Sequence, residues 1–274
     1  MSDKILNFKD TIDIYDKIIM CDNDNCGPKG TRILFIDDET GKPYREEHNK
    51  QVIAGAQFTA IRQFGLKPVV KFPNYNQELG IDPTDMGLDN NDITCLFCCG
   101  NAGCGNEADQ VYPVKFASRI HPKDLVPFRY QQMDDDLTAA QREIYFGRKE
   151  IPEDNRIAYY FKAFDSIPQL HPKFIDGTQI GSDVYELATS MRATYYVEVK
   201  LKITRSDLRD FYLATDKLGN ARINQISLLT AHVEQGADGF KYYKNIQPLT
   251  QLNFTNEWLV DLNKSITILY QIFY

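Results

Sequence analysis

Ala193-Thr-Tyr-Tyr-Val-Glu-Val-Lys-Leu-Lys-Ile203 is the stretch on which the fold turns. Tyr195, Val197, Val199, Leu201 and Ile203 are apolar, and Glu198, Lys200 and Lys202 stand between them. Side chains along a strand alternate between faces, so this period of two predicts a strand with one buried and one wet face. Downstream, Arg222–His232, Phe240–Tyr243, Gln247–Phe254 and Ser265–Tyr274 read as further strands, with Gly236-Ala-Asp-Gly239 as a hairpin turn. Upstream, Arg156–Phe164 reads as another. Short strands at this density, parted by Gly, Asp and Asn turns, predict a mainly β protein. The expected form is an antiparallel β-sandwich, jelly-roll-like, with a few short helices and an irregular N-terminal region.

The pattern is less regular before residue 151. Residues 1–150 read as a loop-rich region with short strands and helices, and 151–274 as the sandwich region, together one continuous β-rich body. Thr31–Ile36 predicts a strand ended by the turn Asp37–Pro43, and the polar run from Pro73 to Asp92 predicts a loop. Asn49–Gly65 predicts a helix, with Asn49 as N-cap, Phe58, Ile61 and Phe64 as its apolar stripe and Gly65 as its stop. Ile93–Cys98 and Val111–Phe116 read as strands flanking Gly100-Asn-Ala-Gly-Cys-Gly105. Leu137–Tyr145 reads as one short helix, with Thr138 near its start and Gly147 past its end.

A chain of 274 residues buries about three quarters of its unfolded surface, so its size alone calls for no staple. Its 31 basic and 38 acidic residues leave a net charge of −7, which argues against direct contact with nucleic-acid phosphates. The longest apolar runs are strand-sized, well short of the ~20 residues that span a bilayer, so no membrane association is expected. Residues 1–10 mix charge with apolar residues and lack the apolar region of a signal peptide. A cytoplasmic origin with free thiols is the corresponding expectation.

The six cysteines fall into two clusters, Cys21 with Cys26, and Cys95, Cys98, Cys99 and Cys104. Two thiolate pairs suit tetrahedral zinc, so a structural zinc site is one reading. Against it, Cys98 and Cys99 are neighbours on a predicted strand and point to opposite faces. Buried thiols acting as small hydrophobes are the expected reading. The Gly100–Gly105 loop follows a strand but lacks the Lys-Ser/Thr ending of a phosphate-binding loop, so a tight connection is expected. His48, His121, His171 and His232 make no recognisable nucleophile motif. Asp134–Asp136, Asp207, Asp210, Asp216 and the Asp22-Asn-Asp-Asn run lack the ligand spacing of a calcium loop and read as solvated acids. No catalytic, cofactor-binding or metal residue is assigned, and no cofactor is expected. The chain has 16 Tyr and 16 Phe, and the doublets Tyr159-Tyr160, Tyr195-Tyr196 and Tyr242-Tyr243 put one ring on each face of a strand. Strand faces aromatic on both sides predict a covering partner subunit.

Four stretches resemble structural proteins of tailed bacteriophages. Gly219-Asn-Ala-Arg-Ile-Asn-Gln-Ile-Ser-Leu-Leu-Thr-Ala231 resembles an Ile-Asn-Glu-Ile-Gly-Leu strand of phage virion β-domains, with Gln225-Ile-Ser227 in place of Glu-Ile-Gly. Ser265–Tyr274 resembles the closing strand of such domains. Residues 49–59 and Leu125-Val-Pro-Phe-Arg-Tyr130 are similar to virion proteins of crAss-like phages. The resemblance implies a non-enzymatic virion protein made in the bacterial host cytoplasm, placed at the head, portal vertex or neck. Its implied partners are capsid, portal or neck subunits in a homo-oligomeric ring or lattice. A virion-surface module that binds a receptor or glycan is the alternative, and a β-sandwich hydrolase a lesser one.

Overall fold

The computed structural model describes residues 31–48, 50–51, 58–59, 62, 74–82, 92–104, 119–175, 177–179, 185–187, 193–204, 206–215, 221–259 and 265–273. In the first part run β1 (Thr31–Asp37), β2 (Pro43–His48), β3 (Lys50–Gln51), α1 (Tyr75–Glu78), β4 (Ile93–Gly100), β5 (Leu125–Val126), β6 (Arg129–Gln132), α2 (Ala139–Arg142) and β7 (Tyr145–Ile151). There follow β8 (Arg156–Ala163), β9 (Gln169–Ile175), β10 (Gly177–Gln179), β11 (Tyr185–Leu187), β12 (Ala193–Ile203), α3 (Arg209–Ala214), β13 (Arg222–Gln235), β14 (Lys241–Trp258) and β15 (Ile266–Phe273).

The protein is mainly β, built on two antiparallel sheets with few short helices. One sheet has the order β2-β1-β15-β12-β9. The other has the order β3-β14-β13-β4-β8-β6, with β5 added along β4 and β7 along β8. Strands β4 and β8 pair directly only at Leu96–Phe97 with Ala163–Lys162; beyond that point β4 pairs with β5 and β8 with β6. Sheets of five and eight strands exceed the two four-stranded sheets of a jelly roll, so that expectation goes no further than the sandwich. Both sheets draw strands from either side of residue 150. β1 lies between β2 and β15, and β4 is central in the larger sheet.

The alternation read in β12 places Val199, Leu201 and Ile203 in the core between the sheets. Phe35 of β1 and Ile268 and Tyr270 of β15 join them, against Phe97, Ile226, Leu228 and Phe254 of the larger sheet. The Phe97 and Phe128 rings meet edge-on at 5.1 Å. Each such fully buried side chain contributes about 1.5–3 kcal/mol. A second core lies on the other face of the larger sheet, where Leu96, Cys98, Phe161, Leu229 and Ile246 pack under Tyr75 and Leu79. The chain thereby covers both faces of that sheet itself. Tyr159 is buried in the first core and Tyr160 packs on the second. Tyr243 stacks edge-on against Phe146 at 4.3 Å, while Tyr242 is 50% exposed. For these doublets the second ring is covered from within the chain at Tyr160 and half-exposed at Tyr242. The Tyr195 and Tyr196 side chains lie outside the described residues.

Several local expectations change. Lys50–Gln51 is a strand paired with β14, so the helix expected from Asn49 does not begin there; Phe58, Thr59 and Arg62 are helical. Tyr75–Glu78 forms a helical turn within the predicted loop, capped by Asn74, whose side chain accepts from the Gln77 N–H at 2.9 Å. The helix expected over 137–145 is the single turn α2, closed by a Thr138–Gln141 capping box. Gly147 is not its stop but lies inside β7 at φ 71°. The two strands expected between 240 and 254 are one, β14. Val111–Phe116 lies outside the described residues.

Candidate functional site

A buried ion pair among the described residues joins β8 to the turn before α3. Lys162 Nζ lies 2.5 Å from Asp207 Oδ2, with the two side chains 7% and 0% exposed. Lys162 also donates to the Lys202 carbonyl at 2.7 Å. Asp207 accepts from the Tyr145 hydroxyl at 2.6 Å and from the Thr204 N–H at 2.7 Å. The ammonium stands 5.4 Å from the Tyr145 ring centroid and 6.0 Å from that of Phe128. Burial, and then the Asp207 carboxylate, push the Tyr145 phenol well above its ordinary value. Local chemistry prepares the turn, since the Asp207 N–H returns to the Thr204 carbonyl at 2.9 Å. Leu208 then takes a left-handed backbone, φ 65°, and its N–H donates to the Phe128 carbonyl at 2.9 Å. A buried charge needs such compensation, and each of these partners lies inside the fold.

The glycine-rich loop is a second assembled feature. The Gly103 N–H donates to Asn224 Oδ1 at 2.7 Å and the Ala102 N–H to Gln225 Oε1 at 3.3 Å. Asn224 Nδ2 donates to the Asn101 carbonyl and to Asn256 Oδ1, and Gln225 Nε2 to Asn253 Oδ1. A Cβ on Gly103 would come within 2.5 Å of Gln225 Cγ and 2.6 Å of the Asn224 carbonyl. The glycine serves close approach of loop to sheet, and the loop's amides meet side-chain amides of β13. The rest of the connection read from sequence, from Gly105 to Val111–Phe116, lies outside the described residues.

Two smaller clusters hold acids. Asp92 is buried, receives Asn245 Nδ2 at 3.0 Å and lies 3.5 Å from His232 Nδ1. Asp136 accepts from the Tyr159 hydroxyl and the Leu137 N–H and pairs with Arg148 at 3.3 Å. Burial pushes the Asp136 carboxyl up, but the Tyr159, Leu137 and Arg148 donors outweigh it and hold it below the usual range. A depressed carboxyl stabilises the fold above its unfolded value, about 3.9, and that stability disappears as pH falls through the folded value. Asp136→Asn is therefore less stable than the parent at pH 7, and the gap closes below about pH 4. Urea midpoints at the two pH values measure this.

The described cysteines do not converge. Cys98 is buried in the second core and Cys99 in the first, on opposite faces of β4. Cys104 donates its thiol to the Phe254 carbonyl at 2.9 Å. Burial pushes the Cys95 thiol up to about 12 and also raises those of Cys98 and Cys99 well above the ordinary thiol range. A zinc site sharing Cys98 and Cys99 is excluded by their directions; Cys21 and Cys26 lie outside the described residues. His121 caps a turn, its Nδ1 accepting the Lys123 N–H at 3.2 Å. Asp207 and Asp136, read as solvated, are instead bound within the fold. Lys162, Tyr145 and Asp92 carried no sequence signal, because their partners lie far along the chain and only the sheets join them.

Fold and clusters together define a two-sheet antiparallel β protein whose described buried charges cross-link its own elements. Compared with known proteins, the chain matches no family model, no curated protein and no solved structure.

Proposed function

We propose that this chain is a non-enzymatic structural component of a tailed-phage virion, working through protein–protein interfaces at the head, portal vertex or neck. The observation that carries the reading is how the buried polar side chains are used. The Lys162–Asp207–Tyr145 cluster ties β8 and β7 to the α3 turn, and the Asn224–Gln225 pair ties a loop to β13. Both act as cross-links between elements that are far apart in the chain. The phage-like stretches around 222–231 and 266–273 form β13 and β15, each flanked by strands on both sides. The net charge of −7 suits a position away from packaged DNA.

The sheet edges bear on how neighbours would meet. β2 carries Arg45, Glu46 and Glu47, β7 carries Arg148, Lys149 and Glu150, and β9 contains Pro172. Charges and proline on edge strands oppose strand addition, so neighbours in the particle meet through side-chain faces and loops. The test is mass spectrometry of purified particles of the phage that encodes the chain. Detection at a fixed ratio to the major capsid protein is expected. Presence in infected cells with absence from particles overturns the reading.

A further inference from the structure

We propose that residues 206–215, the turn bearing Asp207 and Leu208 together with α3, form a strap that opens as a unit while both sheets stay closed. Its catch is the Lys162–Asp207–Tyr145 cluster. Three non-glycine residues among those described have positive φ, namely Asn155, Asn245 and Leu208. Asparagine tolerates that region because its short polar side chain bonds locally; leucine does not. Leu208 is nevertheless fully buried there, so strain is concentrated at the hinge of the strap and persists only because its surroundings enforce it.

Beyond its catch, the strap is anchored by Leu208 and Tyr212 in the first core and by a small set of contacts among the described residues. The Leu208 N–H donates to the Phe128 carbonyl, and the Tyr212 hydroxyl donates to the Arg222 carbonyl at 2.5 Å. The Phe211 ring stands edge-on to Tyr130 at 5.5 Å. Helix α3 has six residues and does not persist by its own hydrogen bonds. The sheets, by contrast, are held by a continuous ladder along β12–β15 and by a long β13–β14 ladder that register shifts interrupt without ending. Opening relieves the strain at Leu208 while it breaks the catch and uncovers Leu208 and Tyr212, and it leaves every sheet ladder paired, so it costs less than unfolding the whole chain. Opening would uncover Phe128 and Tyr130, so the strap is a cover over apolar surface at one end of the sandwich.

Native-state hydrogen exchange on the full chain tests this, independently of any role in a particle. In the parent protein the Leu208, Tyr212 and Thr215 amides are expected to exchange through an opening insensitive to low denaturant, well before the β13 and β15 ladders. Tyr145→Phe removes one hydrogen bond to the buried carboxylate, a bond broken in the opened strap and in the unfolded chain alike, and should speed exchange at those three amides by about tenfold or more while they still exchange ahead of the ladders. Exchange of the three amides at the ladder rate in the parent protein overturns the proposal. So does the absence of any acceleration at the strap in Tyr145→Phe.

Discussion

Lys162→Met lowers the unfolding free energy by about 3–5 kcal/mol, the cost of leaving one member of a buried ion pair without the other. The side chains of Lys162 and Asp207 are almost wholly removed from water, so solvent cannot replace the lost partner. Asp207→Asn loses a similar amount from the other side, stranding the ammonium between the Tyr145 and Phe128 rings. Lys162→Met combined with Asp207→Leu should recover most of the loss, because apolar residues of similar volume replace a buried pair at little or no cost. Urea denaturation of the parent, the two single variants and the double variant completes the cycle. A single-variant loss under about 1 kcal/mol, the value of a surface pair, would mean that water reaches the site.

Gly147→Ala is the second large effect, at about 2–5 kcal/mol. Gly147 has φ 71°, where an L-residue costs about 1–2 kcal/mol. A Cβ there also overlaps the Phe161 ring, and overpacking a core adds about 1–3 kcal/mol. Gly80 separates the two contributions. It has φ 68° with nothing within 4 Å of an added Cβ, so Gly80→Ala carries the backbone cost alone. Thermal or urea unfolding should rank Gly147→Ala well below Gly80→Ala, with partial recovery when Phe161→Leu is added to Gly147→Ala. Equal losses for the two glycine variants would show that the ring yields freely.

The strands legible in the sequence are those whose own pattern decides them. β12 runs from Ala193 to Ile203, the bounds given by its alternation, and β15 differs from its reading by one residue at each end. The misreadings fall where local and tertiary signals disagree. The Thr138–Gln141 box is a strong helix start, yet α2 ends at Arg142, because Tyr145 and Phe146 gain more burial paired with β8. Gly147 resembles a helix stop, but its positive φ serves a strand passing over the Phe161 ring. β14 was read as two strands because Lys244-Asn-Ile-Gln247 breaks the alternation. Asn245 takes φ 52°, and register shifts against β13 absorb the irregularity without ending the strand. The doublet Tyr159-Tyr160 looked like a face awaiting a partner. The second core, under α1, covers that face instead.

The clusters were less legible than the strands. The directions of Cys98 and Cys99 follow from strand geometry alone. Asp207 looked like any loop acid. Its role depends on Lys162, 45 positions earlier, and on Tyr145, 62 positions earlier.

By itself the sequence determined that this chain is mainly β, where its most regular strands lie and that its turns are built from Gly, Asp and Asn. Period and turn chemistry act between residues a few positions apart, and that information is complete in any short window. The tertiary structure alone decided the order of strands, the second core and the pairing of Lys162 with Asp207. Those depend on which apolar faces meet and which buried charges find partners. Such contacts are settled by the free energy of the whole folded chain, not by any segment of it.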